Sequence, residues 1–197
     1  MINEMKMTAS EVFLARNFSE QIVGNIDNKD FMDFRNKRRS PAKILEDNIK
    51  GKLAEMFICN GLGDNSIESV MDFNIYDEGI GDDFDVVAGD FKIDVKASSP
   101  KAKCIMVEEN KMNSWESRGK PNYLIMVSVY NSGINWYCEY VAGISMEEFL
   151  TKGKLYERGE FIPNTTMSLK ANNWIIHKSD CYSSENLIQT IRGKDAV

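Results

Sequence analysis

The 197-residue chain is 43% hydrophobic and 27% charged, the balance of one ordinary globular domain with enough length to bury a sizeable core. No apolar run is long enough to cross a membrane as a helix, and residues 1–7 lack the apolar stretch of a secretory signal, so no membrane partner is expected. A formal net charge of −6 excludes a uniformly basic nucleic-acid-binding surface, and any phosphate contact has to come from local clusters.

Thr8-Ala9-Ser10-Glu11 predicts a helix start, with Thr8 as N-cap and Glu11 at the capping-box position. Leu14, Ala15, Phe18 and Ile22 follow at helical spacing, and Gly24-Asn25 marks the stop. Residues 27–40 are polar and basic, with Phe31-Met32-Asp33-Phe34 as an apolar anchor. The run Arg35, Lys37, Arg38 and Arg39 reads either as a solvated loop or as a phosphate contact. Ser40-Pro41 opens a second helix with proline at its first position, and Gly61 is its expected end. Ile44, Leu45, Ile49, Leu53, Met56 and Phe57 supply its apolar face. Gly51 inside this helix costs about 1 kcal/mol relative to alanine, and close approach of another backbone is one reason that would account for it. Glu55, one turn on, reads as a surface partner of Lys52 or as a functional carboxylate.

A strand is predicted around residues 70–76, then an acidic, glycine-bearing loop over 77–82. From Asp83 to Ser99 the chain reads as two short strands joined by a Gly89-Asp90 turn. In the second strand Phe91, Ile93, Val95 and Ala97 share one face, while Lys92, Asp94, Lys96 and Ser98 share the other. With a two-residue turn, Ala88 pairs with Phe91 and Asp85 lies across from Asp94. Two carboxylates and a lysine on one side of a small sheet suit a divalent cation and a water beside a phosphate.

Residues 104–107 predict another strand, and 108–121 a polar loop in which Trp115 is either a packed anchor or a DNA contact. Tyr123-Leu124-Ile125-Met126-Val127-Ser128-Val129 reads as a central strand buried on both faces, with 136–141 as its partner. Ser145 N-caps a short helix with Glu148 at the capping-box position; residues 152–167 are loop-like, 174–177 a last strand and 184–191 a last helix. His177, the one histidine, takes a structural or surface role for want of a nearby nucleophile. Cys59, Cys104, Cys138 and Cys181 lie far apart with no C-x-x-C pair, as expected of reduced thiols in a cytoplasmic protein.

The Asp85…Asp94-Val95-Lys96 pattern resembles the PD-(D/E)XK nuclease superfamily, with Gly51-Lys52-Leu53-Ala54-Glu55 placed for the acidic residue that family carries on its preceding helix. The resemblance covers about residues 44–129. Phe84 stands where the family pattern has proline, so Asp83 and Asp85 both remain candidates for the first carboxylate. The resemblance implies an α/β, restriction-endonuclease-like core: a central mixed β-sheet flanked by helices. It would form a single nuclease domain over 1–197, with an N-terminal helical and basic segment 1–43, a catalytic core of about 44–150 and a C-terminal strand and helix within 151–197.

The activity it implies is that of a Mg²⁺-dependent DNA endonuclease, restriction-type or phage-type, in which Mn²⁺ can substitute and a homodimer cuts both strands. Asp85 (or Asp83), Asp94, the Val95 carbonyl and Glu55 would hold the metal, while Lys96 positions or deprotonates the attacking water. Basic residues gather ahead of Glu55 and after the hairpin. The basic run after the hairpin also includes Lys111, Arg118 and Lys120, and DNA contacts are expected from Arg35, Lys37, Arg38, Arg39, Lys43 and Lys52, and from Ser98, Lys101 and Lys103. The alternatives are a catalytically inactive DNA-binding or regulatory relative, and an interaction domain in which Asp94 and Lys96 form only a same-face ion pair.

Overall fold

Local signals set where the first helices begin. The computed structural model describes residues 2–25, 40–73, 84–162 and 165–194. Strand β1 (Met5–Lys6) leads into helix α1 (Ala9–Asn25) through the expected capping box. Thr8 Oγ1 accepts from Glu11 N at 3.2 Å, and Glu11 Oε2 accepts from Thr8 N at 2.7 Å. Helix α2 (Pro41–Asp64) has Ser40 as N-cap, accepting from Lys43 N, with proline next. It runs past Gly61, the expected end, and that glycine makes room for Ile2: a Cβ there would meet Ile2 Cγ1 at 2.7 Å. At Gly51 a Cβ would meet nothing within 4 Å among the described residues, which bring no other backbone close to it.

The chain continues through β2 (Ser69–Met71), β3 (Val86–Ala88), β4 (Phe91–Ser98), β5 (Cys104–Glu108), α3 (Glu109–Arg118), β6 (Tyr123–Ser132) and β7 (Asn135–Ser145). It ends with α4 (Met146–Lys152), β8 (Lys154–Tyr156), β9 (Asn173–His177) and α5 (Ser184–Lys194). The central sheet is six-stranded and mixed, in the order β1-β7-β6-β4-β3-β2. Its one parallel pair among the described residues is β4–β6, joined by a crossover containing β5 and α3. Strands β5, β9 and β8 form a second, antiparallel sheet.

Three expectations change. The strand near 70–76 is described only as β2, and 74–76 lie outside the described residues. Residues 108–121, read as a loop, contain α3, and 152–167 contain β8. Trp115 takes the anchoring role: with Met112 it is buried against Ile105, Val107 and Phe149.

Alternation along β4 and β6 divides the core between two faces. Ile93, Val95, Ile125 and Val127 pack against Leu53, Ala54 and Phe57 of α2, together with Leu187 and Ile191 of α5. Leu124 and Met126 face the other way, into a cluster with α3, α4 and the second sheet. No helix among the described residues is long and apolar enough to cross a membrane.

Candidate active site

The β3–β4 hairpin has the register expected from its sequence. Ala88 pairs with Phe91 and Val86 with Ile93, across a turn in which Gly89 takes a positive φ of 56°. One step beyond the last pair, Asp85 N donates to Ile93 O at 3.1 Å and Asp85 Oδ2 accepts from Val95 N at 2.6 Å. Val95, expected to offer its carbonyl, thus contributes its N–H to fixing Asp85. In the parallel ladder Asp94 is partnered with Leu124 and Lys96 with Met126, so both side chains lie on the sheet face away from α2.

Asp94 is 2% exposed and bracketed by two ammonium groups. Lys96 Nζ lies 2.6 Å from its Oδ2, and Lys111 Nζ 2.7 Å from its Oδ1. Each Asp94 oxygen therefore has its own ammonium group, and the Lys111 contact is also a hydrogen bond. The Trp115 ring centroid lies 5.8 Å from Lys96 Nζ and 5.2 Å from Lys111 Nζ, within cation–π range. In the sequence Lys111 is only one member of a basic run. The legible signal for its role is the Met112–Trp115 spacing, which buries one face of α3 and leaves Lys111 on the flank toward β4.

The electrostatics follow from burial and these neighbours. Burial, then the Asp94 charge, pushes Asp85 up to about 6, with Lys111, Lys96 and the Val95 N–H opposing. Burial acts the same way on Asp94, but Lys96 and Lys111 outweigh it and hold that carboxyl below the usual range. Lys96 is lowered by burial and by the neighbouring Lys111 charge, against the pull of Asp94. Lys111 is raised: Asp94 more than offsets its own burial.

The other expected site residues fall elsewhere. Glu55 lies on α2, which packs on the opposite sheet face, and its Oε2 accepts from Lys52 Nζ at 2.6 Å. Lys52, expected at DNA, is only 3% exposed. It donates to Asp72 O at 2.7 Å and sits over the Phe18 and Phe73 rings at 4.3 and 5.2 Å, so it is a buried structural cation, unavailable to phosphate. Lys43 is half-exposed and pairs with Asp47 at 2.8 Å. Ser98 Oγ donates to Val127 O at 3.0 Å, and Lys101 and Lys103 are exposed beyond it. Asp83, Arg35, Lys37, Arg38 and Arg39 lie outside the described residues. His177 Nδ1 is 2.8 Å from Ser179 Oγ at a turn, a structural role, and all four cysteines are free thiols.

Among the described residues no three His, Cys, Asp or Glu side chains are grouped to hold a metal ion, so Glu55 does not join Asp85 and Asp94. The two aspartates by themselves fit Mg²⁺, which takes one or two carboxylates from a protein and keeps several waters. Asp85 is a carboxylate whose charge is disfavoured, whereas Asp94 already has an ammonium group beside each oxygen. A cation beside Asp85 would offset the cost of its charge. Comparison of the chain with protein-family models, with curated proteins and with solved structures finds no match.

Proposed function

We propose that the chain is a Mg²⁺-dependent nuclease that hydrolyses phosphodiester bonds of DNA on a restriction-endonuclease-like core. The observation that carries this reading is the convergence of Asp85, Asp94, Lys96 and Lys111 on one face of the β3–β4 hairpin. Mg²⁺ held by Asp85 and Asp94 would supply Lewis acidity toward the scissile phosphate. Lys96, its proton loosened by burial, is suited to orient an attacking water and exchange a proton with it. Together with Lys111 it offsets the negative charge that grows on the phosphate oxygens. Asp94 keeps the two ammonium groups at a fixed spacing and itself ionised. DNA is the proposed partner, with a homodimer as the assembly that cuts both strands.

The test is incubation of the full chain with linear, supercoiled and branched DNA plus Mg²⁺ or Mn²⁺, followed by sequencing of the product ends. Asp94→Ala and Lys96→Ala should fold and lose cleavage by roughly 10²–10³-fold. Near wild-type cutting by either variant would place the chemistry elsewhere. A second reading, a DNA-binding relative without cleavage, is favoured by the ammonium group already beside each Asp94 oxygen. Retained DNA binding with no heat of Mg²⁺ binding in a calorimetric titration would select it.

A further inference from the structure

Beside Lys96 lies a cavity of about 360 Å³, between the β4–β5 connection and the side chains of Ile162, Thr165 and Met167. Its rim is cationic, with Lys96, Lys101 and Lys103, and no described lining side chain is acidic although the chain as a whole carries −6. Its wall is apolar, with Met106, Met126, Ile162 and Met167. The rim is held in place by the backbone: Ala102 N donates to Ser99 O at 3.0 Å, and Lys178 N donates to Lys103 O at 2.8 Å. On the far side Ile162 N donates to Met167 O at 2.8 Å.

We propose that this cavity holds one unpaired nucleotide of the substrate, its base against the methionine wall and its phosphate among the lysines. The nuclease would then act where a strand is frayed, overhanging or flapped rather than within continuous duplex. The inference rests on the nuclease reading and adds the substrate class to it. A stacked duplex offers a protein its phosphates and groove edges, and leaves an apolar recess nothing to bury. An unstacked base exposes both faces, and polarisable thioethers pack well on aromatic rings. At about 360 Å³ the cavity is at the small end of ligand sites, of a size for one such group. Because Lys96 belongs to both the cavity and the Asp94 cluster, the phosphate of the captured nucleotide adjoins the proposed catalytic residues.

The experiment measures binding of the full chain, in EDTA so that no cleavage intervenes, to fluorescein-labelled oligothymidylate, a flush duplex and the same duplex with a single-stranded overhang. The overhang and the single strand should bind about tenfold more tightly than the flush duplex. Met106→Glu and Met167→Glu alter side chains that are 39% and 64% exposed, so folding should survive, and each should bring overhang binding down to the flush-duplex level. Lys101→Ala should weaken overhang binding in the same assay. Equal affinity for flush and overhanging duplex, or an overhang preference untouched by both methionine variants, overturns the inference. If the chain nonetheless cuts flush duplex internally with Mg²⁺, the nuclease reading stands without it. Absence of both binding and cleavage on every substrate removes the two together.

Discussion

Asp85 and Asp94 adjoin across the hairpin yet titrate in opposite directions. Asp85 has burial and a like charge against its ionisation, whereas Asp94 has two lysines in its favour. A carboxyl whose pKa is higher folded than unfolded binds its proton more tightly when folded. Asp85 therefore supports folding fully below its unfolded value, near 3.9, and that support is lost as pH rises through about 6. Asp94 has the reverse sign: its contribution is present above the ordinary carboxylate pKa and is lost as pH falls through its lowered folded value. Asp85→Asn keeps an acceptor for Val95 N and removes the charge. It should stabilise the metal-free protein by about 1–3 kcal/mol at pH 7.5 and by almost nothing at pH 4, read as melting temperature. An unchanged or lower melting temperature at pH 7.5 would mean that Asp85 is well solvated as an anion. Lys111→Ala leaves Asp94 with Lys96 alone, so cleavage should fall by roughly 10²-fold. Because Asp94 then holds its proton to higher pH, the acid limb of the rate profile should move upward. An acid limb that stays in place would show that Lys111 does not act through Asp94.

At the scale of elements, the hairpin was legible because its determinants are local. Alternation and a Gly89-Asp90 turn are enough to fix which residues face each other, and Asp85, Asp94 and Lys96 followed from that. Helix α3 was not legible. Of its residues Glu109–Arg118 only Met112 and Trp115 are apolar, too thin a stripe to outweigh two asparagines, two serines and the charges. What decides α3 is burial of those two side chains under β5, together with the bond from Glu109 N to Asn172 O at 3.0 Å. Phe149, which completes that cluster, and Asn172 are both distant in sequence, so the sequence shows Lys111 as one more surface charge. In α2 the helix was legible and its outlook was not: spacing finds Glu55 and Lys52 but does not reveal that this flank meets Phe18 and Phe73. The two glycines of α2 give a paired test. Gly51→Ala should stabilise by about 1 kcal/mol, since no described residue occupies the space a Cβ would take. Gly61→Ala should destabilise, since Ile2 has to move aside. Chemical denaturation measures both, and equal effects would mean that Ile2 does not seat against α2.

Over the whole molecule, one sheet separates two environments. The α2 face is closed by α2 and α5 around a continuous apolar cluster, with Glu55 and Lys52 internally neutralised at its edge. The opposite face carries its own apolar cluster and, on β4, the charged group that α3 completes. This division predicts how a cation couples to folding. A ligand that binds only the native state stabilises it by about 2.7 kcal/mol at a hundredfold excess over its dissociation constant, or about 5–10 °C for a chain of this size. Mg²⁺ at that excess should therefore raise the melting temperature at pH 7.5. The rise should shrink at pH 5, because below about 6 a proton on Asp85 competes with the cation. Asp85→Asn and Asp94→Asn should lose the rise. Glu55→Gln is the informative contrast. The resemblance to PD-(D/E)XK nucleases predicts a weakened metal response, whereas the position of Glu55 on the far face, paired with Lys52, predicts the full Mg²⁺ increment over that variant's own baseline. A Mg²⁺ increment that survives in both aspartate variants would instead assign the cation to the general acidic surface, and one lost in Glu55→Gln would bring α2 into the site.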